Sequence, residues 1–357
     1  MQRFLIHWTW ALPIAALALV ALSFVWSVHP ALAALALAAT VVSAVHHAEV
    51  IAHRVGEPFG TLVLALAVTI IEVGLIVSLM ASAGSGAAAL ARDTVIAAVM
   101  IILNGIIGIC LLIGGLRHRE QAFQQSGVNA ALSVLCALTV LSLVLPNYTV
   151  SEPGPVYSQS QLAFVAVVSL LLYGTFVMVQ TVRHRDYFLP PGNLAEDQEI
   201  HADPPDNRAT VVAALSLVAA LIAVVLLAKD LSQPVEQFVA AAGAPHAVVG
   251  VVIAALVLLP ESIAAVRAAL ANRIQTSLNL ALGSALATIG LTIPAVAALS
   301  LLIDLPIALG LGSKNIVLLL LSLLVAATSL GTGRTTILQG AVHLVIFGVY
   351  LFTTVVP

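Results

Sequence analysis

Two glutamates occupy positions where an ionised side chain is expensive. Glu72 lies in "LAVTIIEVGLI" and Glu261 in "LVLLPESIAAV", each flanked by apolar residues. A charge at the centre of a bilayer costs at least about 2.5–3.5 kcal/mol on insertion scales. Such a residue is therefore functional, or is kept protonated by a hydrogen bond to a neighbouring helix. Two carboxylates with carbonyls, amides and water make a hard-oxygen site suited to Ca2+ or, less selectively, Na+. The flanking sequence offers some of those oxygens. Pro260 lacks an N–H and frees a carbonyl one turn earlier, and Gly74 follows Glu72 by two residues. Backbone breaks at membrane depth are tolerated where they line a cavity. Asn104, and Ser284 with Gly283 and Asn279, add oxygen donors and small positions. Taken singly, each also reads as a helix-packing contact, the common use of Gly, Ser and Asn between membrane helices.

Other titratable residues offer less. His46, Glu49 and His53 fall at i, i+3 and i+7 on one helix face. They read as the amphipathic end of a helix at the membrane interface, as a proton entry route, or as a Zn2+ site. His343, inside an apolar run, reads as a satisfied core histidine or as a proton relay. Enzyme motifs are missing. A metalloprotease needs His-Glu-x-x-His, whereas His47, Glu49 and His53 have the wrong spacing, and no Gly-x-Ser-x-Gly elbow occurs. Neither an enzyme nor a resident cofactor is expected.

The elements that position these residues follow from composition. Of 357 residues, 13 are Lys or Arg and 16 are Asp or Glu, so 8% of the chain is charged and 61% is hydrophobic. Soluble domains average about 25% charged, and 29 charges could not cover the surface of one. The net charge of −3 supplies no basic field for nucleic acid. Cys110 and Cys136 sit in apolar runs and suggest no disulfide framework. The chain reads as an all-α polytopic membrane protein.

A spanning helix needs roughly 20 apolar residues. Eleven such stretches occur, at about 4–26, 30–52, 60–82, 94–115, 128–146, 161–182, 209–228, 246–266, 275–302, 315–330 and 335–356. Positive residues collect in cytoplasmic loops. With the N-terminus inside, ten bases fall there: Arg3, Arg54, Arg117, Arg119, Arg183, Arg185, Arg208, Arg267, Arg273 and Arg334. Three, Arg92, Lys229 and Lys314, fall outside. The expectation is therefore eleven transmembrane helices, N-terminus cytoplasmic and C-terminus outside. The first stretch, about 23 residues long, exceeds a signal-peptide core of roughly 7–15 and reads as a retained helix. Residues 183–208 form the long polar stretch, holding six acids and four prolines. They read as a cytoplasmic tether between halves, or as a cation-attracting loop.

The halves resemble each other. Glu49, Gly56 and Glu72 are spaced by 7 and 16 residues, and Glu236, Gly243 and Glu261 by 7 and 18. Residues 1–29 then form an extra first helix, 30–182 a first five-helix repeat, 183–208 the linker and 209–357 a second repeat. An odd number of helices inverts the second copy, the plan of many secondary transporters.

Two strings, "HHAEVIAHRVGEPFGTLVLALAVTIIEVGLIVSLM" and "LLPESIAAVRAALANRIQTSLNLALGSALATIGLTIP", resemble the paired repeats of the cation/calcium exchanger superfamily. The resemblance is to its calcium/proton antiporter branch, in particular the bacterial ChaA-type antiporters. The shorter strings "YGTFVMVQTVRH" and "GRTTILQGAVHL" extend it over nearly the whole chain. It implies two inverted five-helix repeats and exchange of a cation for protons at a midplane site in a bacterial inner membrane. Glu72 and Glu261 match the family's paired ion-binding glutamates, and Asn104, Gly283 and Ser284 its accompanying positions. Some positions depart from the pattern. The family's Gly-Asn-Ala before the first acid reads Thr69, Ile70, Ile71, and its counterpart reads Leu258, Leu259, Pro260. The first Gly-Ser reads Val99, Met100, and a Gln after the second is replaced by Ala287. Fewer side-chain oxygens surround the acids, which leaves Na+ and K+ beside Ca2+ as substrates. The implied partners are the transported cations, protons and the lipid bilayer. A cation channel is the competing class, because acidic rings also select cations.

Overall fold

A computed structural model describes residues 7–26, 28–56, 59–82, 87–189, 205–245, 247–303 and 307–356. Among these the chain is helical, with one isolated antiparallel bridge between Ala122 and Arg334 and no named strand. The helices are α1 (His7–Ser23), α2 (Pro30–Val55), α3 (Phe59–Ser82), α4 (Ala87–Met100) and α5 (Ile107–His118), α4 and α5 being joined by a π-helical turn, Ile101–Ile106. There follow α6 (Gln125–Thr139), α7 (Gln159–Met178), α8 (Asn207–Ala241), α9 (Ala247–Val257) and α10 (Leu259–Leu270). The last three are α11 (Ile274–Ile303), α12 (Ser313–Leu330) and α13 (Ile337–Val355). Among the described residues eight helices are long and apolar enough to cross a membrane, and the pair α9 and α10, bent by 56°, makes a ninth if it is one span.

Local chemistry sets the helix ends. Capping boxes start α7 (Ser158 with Gln161) and α13 (Thr336 with Gln339), each satisfying two N–H groups that have no partner inside the helix. Gly56 closes α2 at φ 76° and Gly243 follows α8 at φ 65°, backbone states that glycine adopts without strain. These are the glycines that the two halves share in sequence.

Two helices extend beyond their apolar runs. α8 continues past residue 228 to Ala241, and Asp230 accepts a hydrogen bond from Ser23 Oγ at 2.7 Å. α4 includes the charged residues ahead of its apolar run, where Arg92 and Asp93 neutralise each other at 2.8 Å and Arg92 also donates to Gly310 O. The start of the polar linker is ordered too. Arg185–Phe188 forms a 3-10 turn with Phe188 buried against Phe176, ring centroids 5.8 Å apart. Glu196, Asp197, Glu199 and Asp203 of the expected linker lie outside the described residues.

The chain divides into two compact units. The first comprises α1, α2, α3 and α8, and the second comprises α4 to α7 and α9 to α13. In the first unit α3 meets α8 at Gly74, where a Cβ would lie 2.6 Å from Val225 Cγ2. α3 is continuous through Glu72 and Gly74. The backbone break anticipated beside Gly74 is therefore absent, and this glycine permits close packing instead.

At the centre of the second unit lies residues 88–118, 83% buried along its most apolar window, with all six residues of the π-helical turn buried. α5 and α13 approach closely where a Cβ on Gly340 would lie 2.8 Å from Gly108 O and one on Gly108 3.0 Å from His343 Cβ. The buried non-helical run after Ile307 satisfies its N–H groups on backbone carbonyls of neighbouring segments, as buried backbone must. Ala308, Gly310 and Leu311 donate to the carbonyls of Ala88, Pro155 and Leu143, each at 2.9 Å.

Replacing Gly340 with Ala should force α13 off α5 and cost about 1–3 kcal/mol, the range for overpacking. A Cβ on Gly348 of the same helix meets nothing within 4 Å. Gly348→Ala should be neutral or stabilising by up to about 1 kcal/mol through helix propensity. Melting temperatures of the two variants in detergent check the pair.

Candidate functional site

Glu72 lies near the middle of α3 and is 3% exposed. Thr69, one turn earlier on the same face, is also buried. Ile71, Leu75 and Ile76 seal the surroundings with apolar side chains. The first unit thus presents one carboxylate and one hydroxyl from an unbroken helix.

Glu261 is held differently. The helix stops at Val257 and resumes at Leu259 with the 56° bend, Leu258 between them adopting φ −81°, ψ −1°. The cause is local. Pro260 has no N–H to donate to the carbonyl of Leu256 four residues back, and its ring crowds that carbonyl. Ser262, which sequence reasoning did not single out, donates from both its N and its Oγ to Leu258 O, at 2.9 and 2.6 Å. The half-buried Glu261 sits in the first turn of α10. That is the positive end of a helix dipole and favours negative charge.

Asn104 lies on the π-helical turn and is fully buried in the second unit. Its Nδ2 donates to Ser322 Oγ of α12 at 2.8 Å, and its Oδ1 lies 3.2 Å from His343 Nδ1 of α13. His343 is fully buried as well, with Nε2 2.9 Å from Ser329 Oγ. The reading of His343 as a satisfied core histidine fits these contacts. Ser322 and Ser329 escaped sequence reasoning. Their signal is the spacing of seven that puts both on the buried stripe of α12 together with Leu318 and Ala326.

The remaining candidates separate. Gly283 and Ser284 are partly buried on α11. A Cβ on Gly283 would meet nothing within 4 Å, whereas one on Gly290 of the same helix would lie 2.8 Å from Tyr173 Cβ. Gly283 is therefore no tight packing contact. The buried Oγ of Ser284 has no hydrogen-bond partner among the described residues. Asn279 belongs to a chain of bonds instead. Gln124 N donates to Gln275 Oε1 at 2.6 Å, Gln275 Nε2 to Asn279 Oδ1 at 2.9 Å, and Asn279 Nδ2 to Phe188 O at 2.6 Å. This fastens the turn that opens the polar linker. His46, Glu49 and His53 are exposed along α2. Among the described residues no three His, Cys, Asp or Glu side chains converge closely enough to hold a metal ion. The Zn2+ reading of that stripe has no geometric support.

The family described as "Sodium/calcium exchanger protein" matches residues 22–182 and 212–356. The chain belongs to the sodium/calcium exchanger protein family. The putative ionic transporter y4hA of Sinorhizobium fredii is 54% identical to it over 321 residues, 90% of this chain and 87% of that one. The sodium-potassium/proton antiporter ChaA of Escherichia coli is 36% identical over 323 residues, again 90% and 87%. Among solved structures, YfkE superposes with a TM-score of 0.74 at 17% identity, covering 98% of this chain and all of that one. Membership makes this chain a multi-pass membrane cation exchanger rather than an enzyme.

For such an exchanger the helix break at Pro260 is a testable element. Pro260→Ala restores the missing N–H, and a proline inside a helix costs about 3 kcal/mol or more. The variant should melt at higher temperature in detergent while transporting more slowly, the usual trade between stability and function. Unchanged cation-driven proton flux in vesicles would refute a functional role for the break.

Proposed function

We propose that this protein is a cation/proton antiporter that exports Ca2+ from the bacterial cytoplasm in exchange for H+, with Glu72 and Glu261 as the paired cation and proton ligands. The observation that carries the reading is the pair itself. One acid is buried at the middle of an apolar helix, and the other begins a half-helix at a proline break. Asn104, Gly283 and Ser284 complete the proposed ligand surroundings, with Thr69 and Pro260 adjoining them. The chain would span the inner membrane eleven times, N-terminus cytoplasmic, as one extra helix and two inverted five-helix repeats. The family's two matched stretches, one on each side of the polar linker, support that layout.

Charge balance supplies the coupling. With both glutamates ionised the site carries two negative charges and holds one Ca2+; with both protonated it is neutral and reorients without metal. Alternating exposure of these two states exchanges cation for protons, as in other carriers with inverted repeats.

Monovalent exchange is the second reading, and two observations favour it. Positions where the family's pattern carries small or polar residues are apolar and buried here, among them Ile71, Val99, Met100 and Leu258, so few side-chain oxygens remain. The 36% identical relative is named a sodium-potassium/proton antiporter. A site with fewer oxygens discriminates less in favour of Ca2+, which takes about six to eight.

Everted vesicles test both readings. Proton release on adding Ca2+, Na+ or K+ across a pH series ranks the substrates. Glu72→Gln and Glu261→Gln should each abolish radiolabelled Ca2+ uptake driven by a pH gradient. Undiminished proton-coupled uptake in either variant overturns the two-glutamate site. A channel would continue downhill flux after the proton gradient is collapsed, whereas the antiporter loses its uphill uptake.

A further inference from the structure

We infer that His343 is a positioning residue for the exchange reaction, because it sets which end of the Asn104 amide points where. The inference rests on the proposal that Asn104 is one of the cation's ligands. Nothing in the family assignment requires it.

The hydrogen-bond directions are fixed from one end. Ser322 Oγ donates its single proton to Leu318 O at 2.6 Å, so toward Asn104 it can only accept. The Asn104 atom 2.8 Å away must therefore be the NH2 group. The other end of the amide is then the oxygen, an acceptor only, and His343 Nδ1 at 3.2 Å must carry a proton. Neutral histidine with Nδ1 protonated leaves Nε2 as an acceptor, and Ser329 Oγ donates to it at 2.9 Å in preference to Ala326 O, which is 3.4 Å away. One carbonyl on α12 thus decides, through Ser322, the orientation of the Asn104 oxygen. His343 locks that orientation from the opposite side.

Asn104 sits on a buried π-helical turn, and such turns recur at functional sites. An asparagine amide also has two nearly isosteric ends, and a cation needs the oxygen. Flipping the amide would set an NH2 group against His343 Nδ1–H and the oxygen against a hydroxyl with no proton to give. Both bonds would re-form only if His343 changed tautomer and Ser322 gave up its bond to Leu318 O, in a fully buried place where an unmade bond is costly. The glycines make the contact possible. Gly108 and Gly340 let α13 approach α5, and Gly105 admits Phe347, where a Cβ would lie 3.3 Å from its ring.

The test uses the full-length protein in proteoliposomes, with initial rates of cation-driven proton movement measured over a range of Ca2+, Na+ and K+ concentrations. Rates are normalised to folded protein recovered by size exclusion. His343→Leu keeps the bulk and removes the donor; His343→Asn loses bulk but places an amide N–H where Nδ1 stands. Loss of a group that orients a metal ligand costs about 10–100-fold in metal affinity. His343→Leu should therefore raise the KM for the transported cation by about tenfold or more with the maximal rate changed only a few-fold. His343→Asn should recover most of that loss. An unchanged KM in His343→Leu overturns the inference, as does equal impairment of both variants in proportion to lost folded protein. Asn104→Ala and Glu72→Gln separate the levels. If Glu72→Gln abolishes transport while Asn104→Ala leaves KM unchanged, the positioning role falls and the glutamate site stands. If Glu72→Gln transports normally, the reading underneath fails instead.

Discussion

Polar atoms at membrane depth have no water to turn to, and this constraint organises the whole molecule. Backbone and side-chain polar groups must find partners within the chain, because each unsatisfied group in a hydrocarbon environment costs several kcal/mol. The helices satisfy their own backbones. Where the chain leaves a helix inside the second unit, carbonyls of other segments take over, as Ala88, Pro155 and Leu143 do for the run after Ile307. The loop after α5 is held in the same way. Gln121 N donates to Thr335 Oγ1, Thr335 N returns a bond to Gln121 O, and Gln121 Nε2 reaches Ala269 O. The buried chain from Leu318 through Ser322 and Asn104 to His343 and Ser329 is the clearest product of the constraint.

The two halves resemble each other in sequence but solve their local problems by different means. Glu72 rides on an uninterrupted helix, whereas Glu261 begins a new one after a proline break. The polar residues that follow invert this contrast: Asn104 sits on a π-helical turn, and Ser284 on an unbroken α-helix. Glu261 gains the favourable end of a helix dipole that Glu72, in mid-helix, lacks. The two acids of the proposed site are therefore electrostatically unequal. Among these four positions, one in each half sits at a departure from regular helix, and it falls on a different member of the pair.

Glycines show how little residue type says about role in such a chain. Gly74, Gly108, Gly290 and Gly340 are places where another helix approaches so closely that a methyl group would collide. Gly283 has open space around the position of its missing Cβ. In sequence all five look alike, small residues in apolar runs, and the expectation of a break at Gly74 came from that ambiguity. Only the identity of the neighbour separates a packing contact from an open position, and a linear sequence does not contain it.

Much was nonetheless legible before any coordinates. The scarcity of charge established a membrane protein, since apolar surface needs lipid as surely as charge needs water. The isolation of Glu72 and Glu261 singled them out, because the cost of burying a carboxylate depends on its immediate surroundings. Pro260 announced its break, because a missing N–H is a covalent property of the residue. These are local consequences of residue type and need no partner. The company kept by Asn104 was not legible: Ser322 lies 218 and His343 239 residues away in sequence. Nor was the diversion of Asn279 into fastening the linker's first turn. Directional hydrogen bonds between distant helices depend on rotation and approach to within an ångström, and packing alone decides those.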